Sequence, residues 1–344
     1  MKLALQLGYW GAGPPTDALE KILEAERLGF DTVFTAESWG SDAFTPLAWW
    51  GAQTSRIRLG TSIVQISART PASTAMHALT LDHLCGGRHV LGLGVSGPQV
   101  VEGWYGGPFG KPLARTREYV DIVRQVLRRE GPVTSPGPHH ELPFHGEGSI
   151  GMGKALKPIT HPLRADLPIW LGTEGPKNVA LTAEIADGWL PIYYSPKAAP
   201  MYDGWLNEGF ARREGGRPAG FEIASNCSVV VTDDVDATLA AMRPTLAFYI
   251  GGMGAKDMNF HKQVFARMGY EKEADQIQDL FFEGKRDEAI ACVPDQMVAD
   301  ISLVGSAAKI RDDLAAWEDA GVTMLVIGAG SLAQLRQVAE VVLG

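Results

Sequence analysis

Val90-Leu91-Gly92-Leu93-Gly94-Val95-Ser96-Gly97 is an apolar run that ends in the pattern G-x-G-x-x-G. That pattern normally opens a doubly wound sheet: its glycines let a dinucleotide pyrophosphate approach the backbone, and an acid about 20 residues later takes the ribose hydroxyls. Here the run lies well inside the chain and Pro98 follows the last glycine. About 20 residues on stand Arg115, Thr116 and Arg117, with Glu118 the nearest acid. The fingerprint therefore marks a strand with a glycine loop at its carboxyl end, without by itself establishing a nicotinamide site.

Two segments on either side of it read alike. Leu19 to Glu37 runs as a helix, then Leu28-Gly29-Phe30-Asp31, then Thr32-Val33-Phe34. Ile310 to Gly328 repeats the order, with Ala320-Gly321-Val322-Thr323 before Met324-Leu325-Val326-Ile327. In each, apolar residues recur at helical spacing, a glycine supplies the left-handed cap, and an uninterrupted apolar run follows. Such runs are buried on both faces, as in a parallel sheet covered by helices. Extending the pattern gives eight strands: Leu3–Leu7, Thr32–Thr35, Ile57–Thr61, Val90–Leu93, Pro168–Leu171, Gly188–Pro191, Cys227–Val231 and Met324–Ile327. Eight strands alternating with helices from end to end predict an α/β fold, a (β/α)8 TIM barrel, in preference to an open sheet.

Two stretches interrupt the alternation. Gly131 to Pro168 carries Pro132, Pro136, Pro138, Pro143, Pro158 and Pro162 and reads as a long Pro/Gly-rich loop between strands four and five, placed to cover a site. Gly251 to Pro294 has helical patterning at Asn259–Met268 and Glu271–Phe282, and reads as a helical insertion before the last strand. Because the last strand follows both, residues 1–344 form a single domain. The net charge of −9 argues against nucleic-acid and anionic-membrane partners. The three cysteines, Cys85, Cys227 and Cys292, are scattered, so neither a disulfide framework nor a zinc site is indicated, and a cytoplasmic location is expected.

A TIM barrel builds its active site at the carboxyl ends of its strands. The residues there are small and polar: Gly8, Tyr9 and Trp10; Ala36, Glu37, Ser38 and Trp39; Ser62, Ile63 and Val64; Gly94 to Gly97; and Gly172-Thr173-Glu174-Gly175-Pro176-Lys177. Gly175 and Pro176 open a helix whose free amides would seat an anion. With the neighbouring glycine loop they point to a phosphate-bearing cofactor. Glu37 ends an apolar strand beside Phe34 and Trp39, where desolvation would suit it to proton transfer. Its alternative is a structural carboxylate paired with an arginine such as Arg69. His77 lies on the amphipathic pattern Ala72–Leu84 and reads equally well as a hydrogen-bonded core residue. His139, His140 and His145 lack regular ligand spacing, so no metal site is expected.

Several phrases resemble a known family: Ala36-Glu37-Ser38-Trp39-Gly40-Ser41-Asp42-Ala43-Phe44-Thr45-Pro46-Leu47-Ala48, Ile57-Arg58-Leu59-Gly60-Thr61-Ser62-Ile63, Gly86-Gly87-Arg88 with its glycine loop, and Val304-Gly305-Ser306 through Gly321-Val322. Together they are similar to the luciferase-like superfamily of flavin and deazaflavin enzymes, and most of all to its actinobacterial branch that uses coenzyme F420. The resemblance spans nearly the whole chain. It implies a non-prolyl cis peptide at Ser62-Ile63 behind the deazaflavin ring. It also implies cofactor contacts from Gly94, Val95, Ser96 and Gly97 and from Gly172, Thr173, Glu174, Gly175 and Pro176, and chemistry near Glu37 and Ser38. Trp10, Trp39 and the Pro-rich loop would wall the substrate, and Lys154 and Lys157 would meet the anionic tail. Where related dehydrogenases have a catalytic histidine this chain has Ser38, and Gly97 replaces a glutamate of the sugar-phosphate branch, which speaks against sugar-phosphate oxidation. The implied activity is hydride transfer between F420 and a small-molecule substrate, in a homodimer. The alternative on the same fold is an FMN-dependent monooxygenase; a nicotinamide dehydrogenase and a non-catalytic flavin binder are the remaining readings.

Overall fold

The computed structural model describes every residue except Ala255. Its strands are β1 (Lys2–Gly8), β2 (Thr32–Thr35), β3 (Arg58–Thr61), β4 (Val64–Gln65), β5 (His89–Gly94), β6 (Ile169–Gly172), β7 (Gly188–Trp189), β8 (Glu222–Asn226), β9 (Ser228–Val231), β10 (Ser302–Gly305) and β11 (Met324–Ile327). Around the barrel the order is β3-β2-β1-β11-β8-β7-β6-β5-β4, and pairing of β3 with β5 closes it. Every pairing among these strands is parallel. β4 continues β3 along the same neighbour. Gly60 pairs with Val90 and Val64 with Leu93, so the β3–β4 edge carries one residue more than β5, a bulge at Ser62 and Ile63.

Side chains alternate between the barrel interior and the surrounding helices. Inside, Ala4, Phe34, Val90, Trp170, Leu190, Ala224, Met324 and Val326 form one cluster, with Phe34 and Trp170 ring centroids 5.9 Å apart. Two aromatics fit because their neighbours are glycines. A Cβ on Gly60 would sit 2.3 Å from the Phe34 ring, and one on Gly188 would sit 2.7 Å from Trp170. Outside, Val33, Leu59, Leu91 and Ile169 pack against helical residues such as Ile22, Leu47, Tyr119 and Val179 in a second, larger cluster.

One strand assignment needs correction. The seventh barrel strand is Glu222–Asn226, between β7 and β11, rather than Cys227–Val231. The apolar Ser228–Val231 peels away and pairs with β10 in a separate two-stranded sheet. The barrel takes the smaller segment because Ala224 shares the crowded interior with Phe34 and Trp170. Glu222 is tolerated at its start because Lys2 Nζ donates to Oε1 at 2.5 Å and Thr323 Oγ1 to Oε2 at 2.6 Å.

The helical insertion is present and wider than its sequence bounds, running from Val235–Gly251 to Asp295–Ala299. It has its own core, in which Leu246, Ile250, Phe265, Ile277 and Met297 pack with Val304 of β10. The long loop after the helix Pro112–Arg128 has no helix or strand, only an isolated bridge between Ser135 and Leu142. Both its ends lie on the amino-terminal side of the barrel. Arg129 Nε donates to Pro158 O and Lys157 Nζ to Glu130 O, at 2.8 and 3.3 Å, beside the end of that helix. Its tip, around Pro136–Phe144, climbs to Thr70–Ala72 and lines a cavity of about 590 Å³ with them.

Candidate active site

Three of the predicted loops converge on one side chain. Gly94 and Gly172 stand opposite each other in register at the carboxyl ends of β5 and β6. A Cβ on Gly94 would lie 2.9 Å from Ile63 Cδ1, and one on Gly172 would lie 2.8 Å from Ile63 Cγ2. Ile63 thus occupies the slot that two missing side chains leave open, and the peptide before it, Ser62-Ile63, is cis. Gly92 serves a different purpose. Its Cβ would fall 1.9 Å from Thr61 O, and its own N–H and carbonyl are bridged by the Thr61 hydroxyl at 2.8 Å on either side. The first glycine of the fingerprint therefore closes the barrel, while Gly94 opens the site. Val95, Ser96 and Gly97 follow as a half-buried turn in which Ser96 takes a left-handed backbone, φ 61°.

The β6 loop is held rigidly beneath the helix Pro176–Ile185. The Trp189 indole donates to Thr173 O at 2.9 Å, and the Thr173 and Thr182 hydroxyls meet at 2.7 Å. Thr173 is buried by these contacts, so its part in the site is to pin the turn. Gly175, at φ 80°, precedes Pro176 at the first helical position and leaves the helix amides free to face a ligand. Glu174 Oε1 accepts the Ile192 N–H at 3.1 Å. Burial pushes the Glu174 carboxyl up to about 8, against weaker opposing pulls from the Ile192 N–H and then from Arg267.

Glu37 realises the alternative set out for it. Arg69 Nη2 lies 2.7 Å from Oε1, the Gln65 N–H donates to Oε2 at 2.9 Å, and Gln65 Nε2 returns to Glu37 O at 3.1 Å. The carboxylate is buried, and both oxygens are committed. Arg69 and the Gln65 amide hold it in place. These contacts tie the β2 loop to the β4 loop. Arg69 in turn lies over the Phe44 ring at 5.4 Å, and its Nη1 is buried without a partner.

Ser38 is half-buried in the turn after Glu37, and Trp39 stands 53% exposed at the rim. Trp10 is half-buried, with its N–H donating to Ser41 Oγ at 3.0 Å. His77 is not a core histidine: it is exposed, stacked on Phe44, and its Nδ1 lies 2.8 Å from Ser73 O. Lys157 does not approach the β6 loop, since it is tied to Glu130 on the far face, and Lys154 is exposed in the same return segment. The sequence pattern missed a group supplied by the insertion. Tyr249 and His261 pack edge-to-face with each other and with Tyr193 after β7, at centroid distances of 5.1 to 6.1 Å. Burial pushes the His261 imidazole down to about 4 and the Tyr249 hydroxyl up to about 12. Nothing in local spacing announces such residues, because the insertion brings them to the barrel only in three dimensions.

Comparison with known proteins agrees with this architecture. The profile of the luciferase-like monooxygenase family matches residues 4–324. A Mycobacterium tuberculosis protein, provisionally named a coenzyme F420-dependent oxidoreductase, is 63% identical over 343 residues, 99% of either chain. The 5,10-methylenetetrahydromethanopterin reductase of Archaeoglobus fulgidus is 28% identical over 89% of this chain and 87% of its own. The solved coenzyme F420-dependent tetrahydromethanopterin reductase of Methanopyrus kandleri superposes with a TM-score of 0.81 at 24% identity, covering 99% of this chain and 98% of that one. With its closed barrel, its bulge at Ser62-Ile63 and a profile match over nearly its whole length, the chain belongs to the luciferase-like monooxygenase family.

Proposed function

We propose that the protein is an F420-dependent oxidoreductase that transfers hydride between the deazaflavin and a small organic substrate. The observation that carries this reading is the cradle at Ile63, where a Cβ on Gly94 or on Gly172 would press on the Ile63 side chain behind the cis peptide. The 63% identical relative supports the choice of cofactor. When bound, F420 supplies a ring carbon that gives or takes hydride in place of the flavin nitrogen. The chain's own part is orientation. Ile63 forms the floor, Gly94 to Gly97 border one edge, and Gly175 with the amides of Pro176–Ile185 receives the anionic tail. Trp10 and Trp39 wall the opening, and the Ser38 hydroxyl, half-buried in the turn after Glu37, hydrogen-bonds a substrate oxygen.

The alternative, an FMN-dependent monooxygenase, draws support from the family profile's own description. Titration of the purified protein with F420 and with FMN, followed by fluorescence, separates the two. Saturable F420 binding at micromolar concentration is expected, and tight FMN binding with no F420 signal overturns the proposal. A cytoplasmic homodimer completes the reading. No helix among the described residues is long and apolar enough to cross a membrane. An exposed apolar face on the helices Phe44–Gly51 and Pro71–Leu84 suits a second copy of the chain.

A further inference from the structure

We propose that Arg267 of the insertion and Glu174 of the β6 loop jointly read the charge of the cofactor tail, Arg267 by ion pairing and Glu174 by taking up a proton as the tail binds. The inference rests on the cofactor reading above and adds to it the two side chains that sense the tail.

Arg267 sits at the kink between the helices Phe260–Phe265 and Glu271–Phe282, where Gly269 takes a left-handed φ of 98°. Its Nη1 and Nη2 both lie 3.8 Å from the position a Cβ would take on Gly175, so the guanidinium stands over the residue that starts the helix. It donates to Gln263 Oε1 at 3.0 Å and lies 6.0 Å from the centre of the Trp205 ring. Among the described residues no carboxylate lies within 4.0 Å of it. An exposed arginine held over a helix amino terminus, and not neutralised by a neighbour, is a fork for phosphate or carboxylate. It takes the place expected of Lys154 and Lys157, which lie elsewhere.

Glu174 is the acid that makes this seat selective. Among the described residues its side chain accepts one hydrogen bond, from Ile192 N–H to Oε1. The groups facing it are Arg267 from the insertion, Tyr193 after β7 and Tyr202 on the helix Ala199–Arg212. None is an ion-pair partner at contact distance. The carboxyl is already raised to about 8, and an anion arriving next to it raises it further. Below that pH the tail meets a neutral acid able to donate a hydrogen bond. Above it the tail meets a carboxylate, and binding must draw one proton from solvent to the Glu174 oxygen, with no other bond made or broken.

The test compares F420 with the same deazaflavin lacking its phosphate tail, by fluorescence titration from pH 6 to 10. Comparing the two ligands at each pH cancels ionisation of the ring they share. For the wild-type protein, preference for the tailed form should be flat below about pH 8 and then fall by up to about tenfold per pH unit. Glu174→Gln should abolish that fall. Arg267→Ala should weaken the tailed form by roughly 10- to 100-fold and leave the tail-less form unchanged, while Arg267→Lys should restore part of the loss. Calorimetry in buffers of different ionisation enthalpy should report close to one proton taken up at pH 9 by the wild type and none by Glu174→Gln. Equal weakening of both ligands by Arg267→Ala, or an unchanged pH slope in Glu174→Gln, overturns the proposal. If the wild type binds neither deazaflavin, the cofactor reading itself fails. If it binds both equally at every pH, that reading stands and the charge-sensing one falls.

Discussion

The Glu37 side chain shows how far single residues were legible. Its place at the end of an apolar strand followed from the sequence, and so did Arg69 as an available partner. That the ion pair forms needed the third dimension, because it turns on where Arg69, beyond the next barrel strand, places its guanidinium. The pair is buried, so breaking one side should be severe. Glu37→Ala is expected to cost about 3–5 kcal/mol by stranding Arg69, read from urea unfolding, and the double variant Glu37→Gln, Arg69→Met should recover much of it. His89 supplies a pH prediction of the same kind. It is fully buried with Nδ1 2.7 Å from Leu59 O, and burial holds its imidazole down to about 4. The unfolded chain binds that proton near pH 6.5, so the unfolded state gains protons first as pH falls. The contribution of this site should therefore be flat above about pH 6.5 and drop between 6.5 and 4, by an amount on the order of 3 kcal/mol, whereas Glu174, raised to about 8, contributes a slope of the opposite sign between about 4.5 and 8. His261, also held down to about 4, adds to the same slope. His89→Gln should flatten the part due to position 89 in unfolding curves taken at pH 7.5 and 5; an unaltered drop would assign the slope elsewhere.

At the scale of elements, seven of the eight barrel strands lie where hydrophobic runs and glycine caps put them. The exception is instructive. Cys227-Ser228-Val229-Val230-Val231 has the stronger strand composition, yet the barrel uses Glu222-Ile223-Ala224-Ser225-Asn226, since interior volume and not propensity decides which segment faces Phe34 and Trp170. β10 was unreadable for a related reason: four residues after a long helical segment acquire strand geometry only by pairing with β9. The glycines of the opening motif divide by the same logic of volume. Gly92→Ala drives a Cβ to within 1.9 Å of a backbone oxygen across the β3–β5 seam, so loss of soluble, cooperatively folding protein is expected. Gly94→Ala meets Ile63 Cδ1 and Cγ1 at 2.9 Å and the Gly172 carbonyl only at 3.4 Å, so the Ile63 side chain is what must give. The substitution should leave thermal unfolding within a few degrees of wild type while weakening F420 binding by roughly tenfold or more, as Ile63 is pushed into the space the ring needs. If Gly94→Ala binds F420 normally, the cradle is not where the ring lies.

Across the whole molecule, the long loop is the feature whose role shifts most from its sequence reading. Glycine, proline and length announced a loop, but nothing in composition says which face of a barrel it crosses. In the fold it starts and ends on the amino-terminal side and presents apolar residues outward, among them Ile159 at 95% exposed. His83 Nε2 lies 2.8 Å from His161 O, which ties the loop to the helix Pro71–Leu84. That helix exposes Met76 and Leu84, and its neighbour Phe44–Gly51 exposes Trp49 at 73%. Large apolar side chains left this open on adjacent elements signal a covered surface, and a face that a chain shows to its own copy closes by two-fold symmetry without further growth. The loop is then a ledge of the proposed homodimer more than a lid over the cofactor, and only its tip near Thr70 approaches the Arg69–Glu37 pair. Sedimentation velocity should find the wild-type protein at twice its chain mass. Trp49→Glu combined with Met76→Glu should shift it to the single-chain mass with F420 affinity retained, since neither residue reaches the Ile63 cradle. A wild-type monomer, or a variant that stays dimeric, would move the interface off these helices.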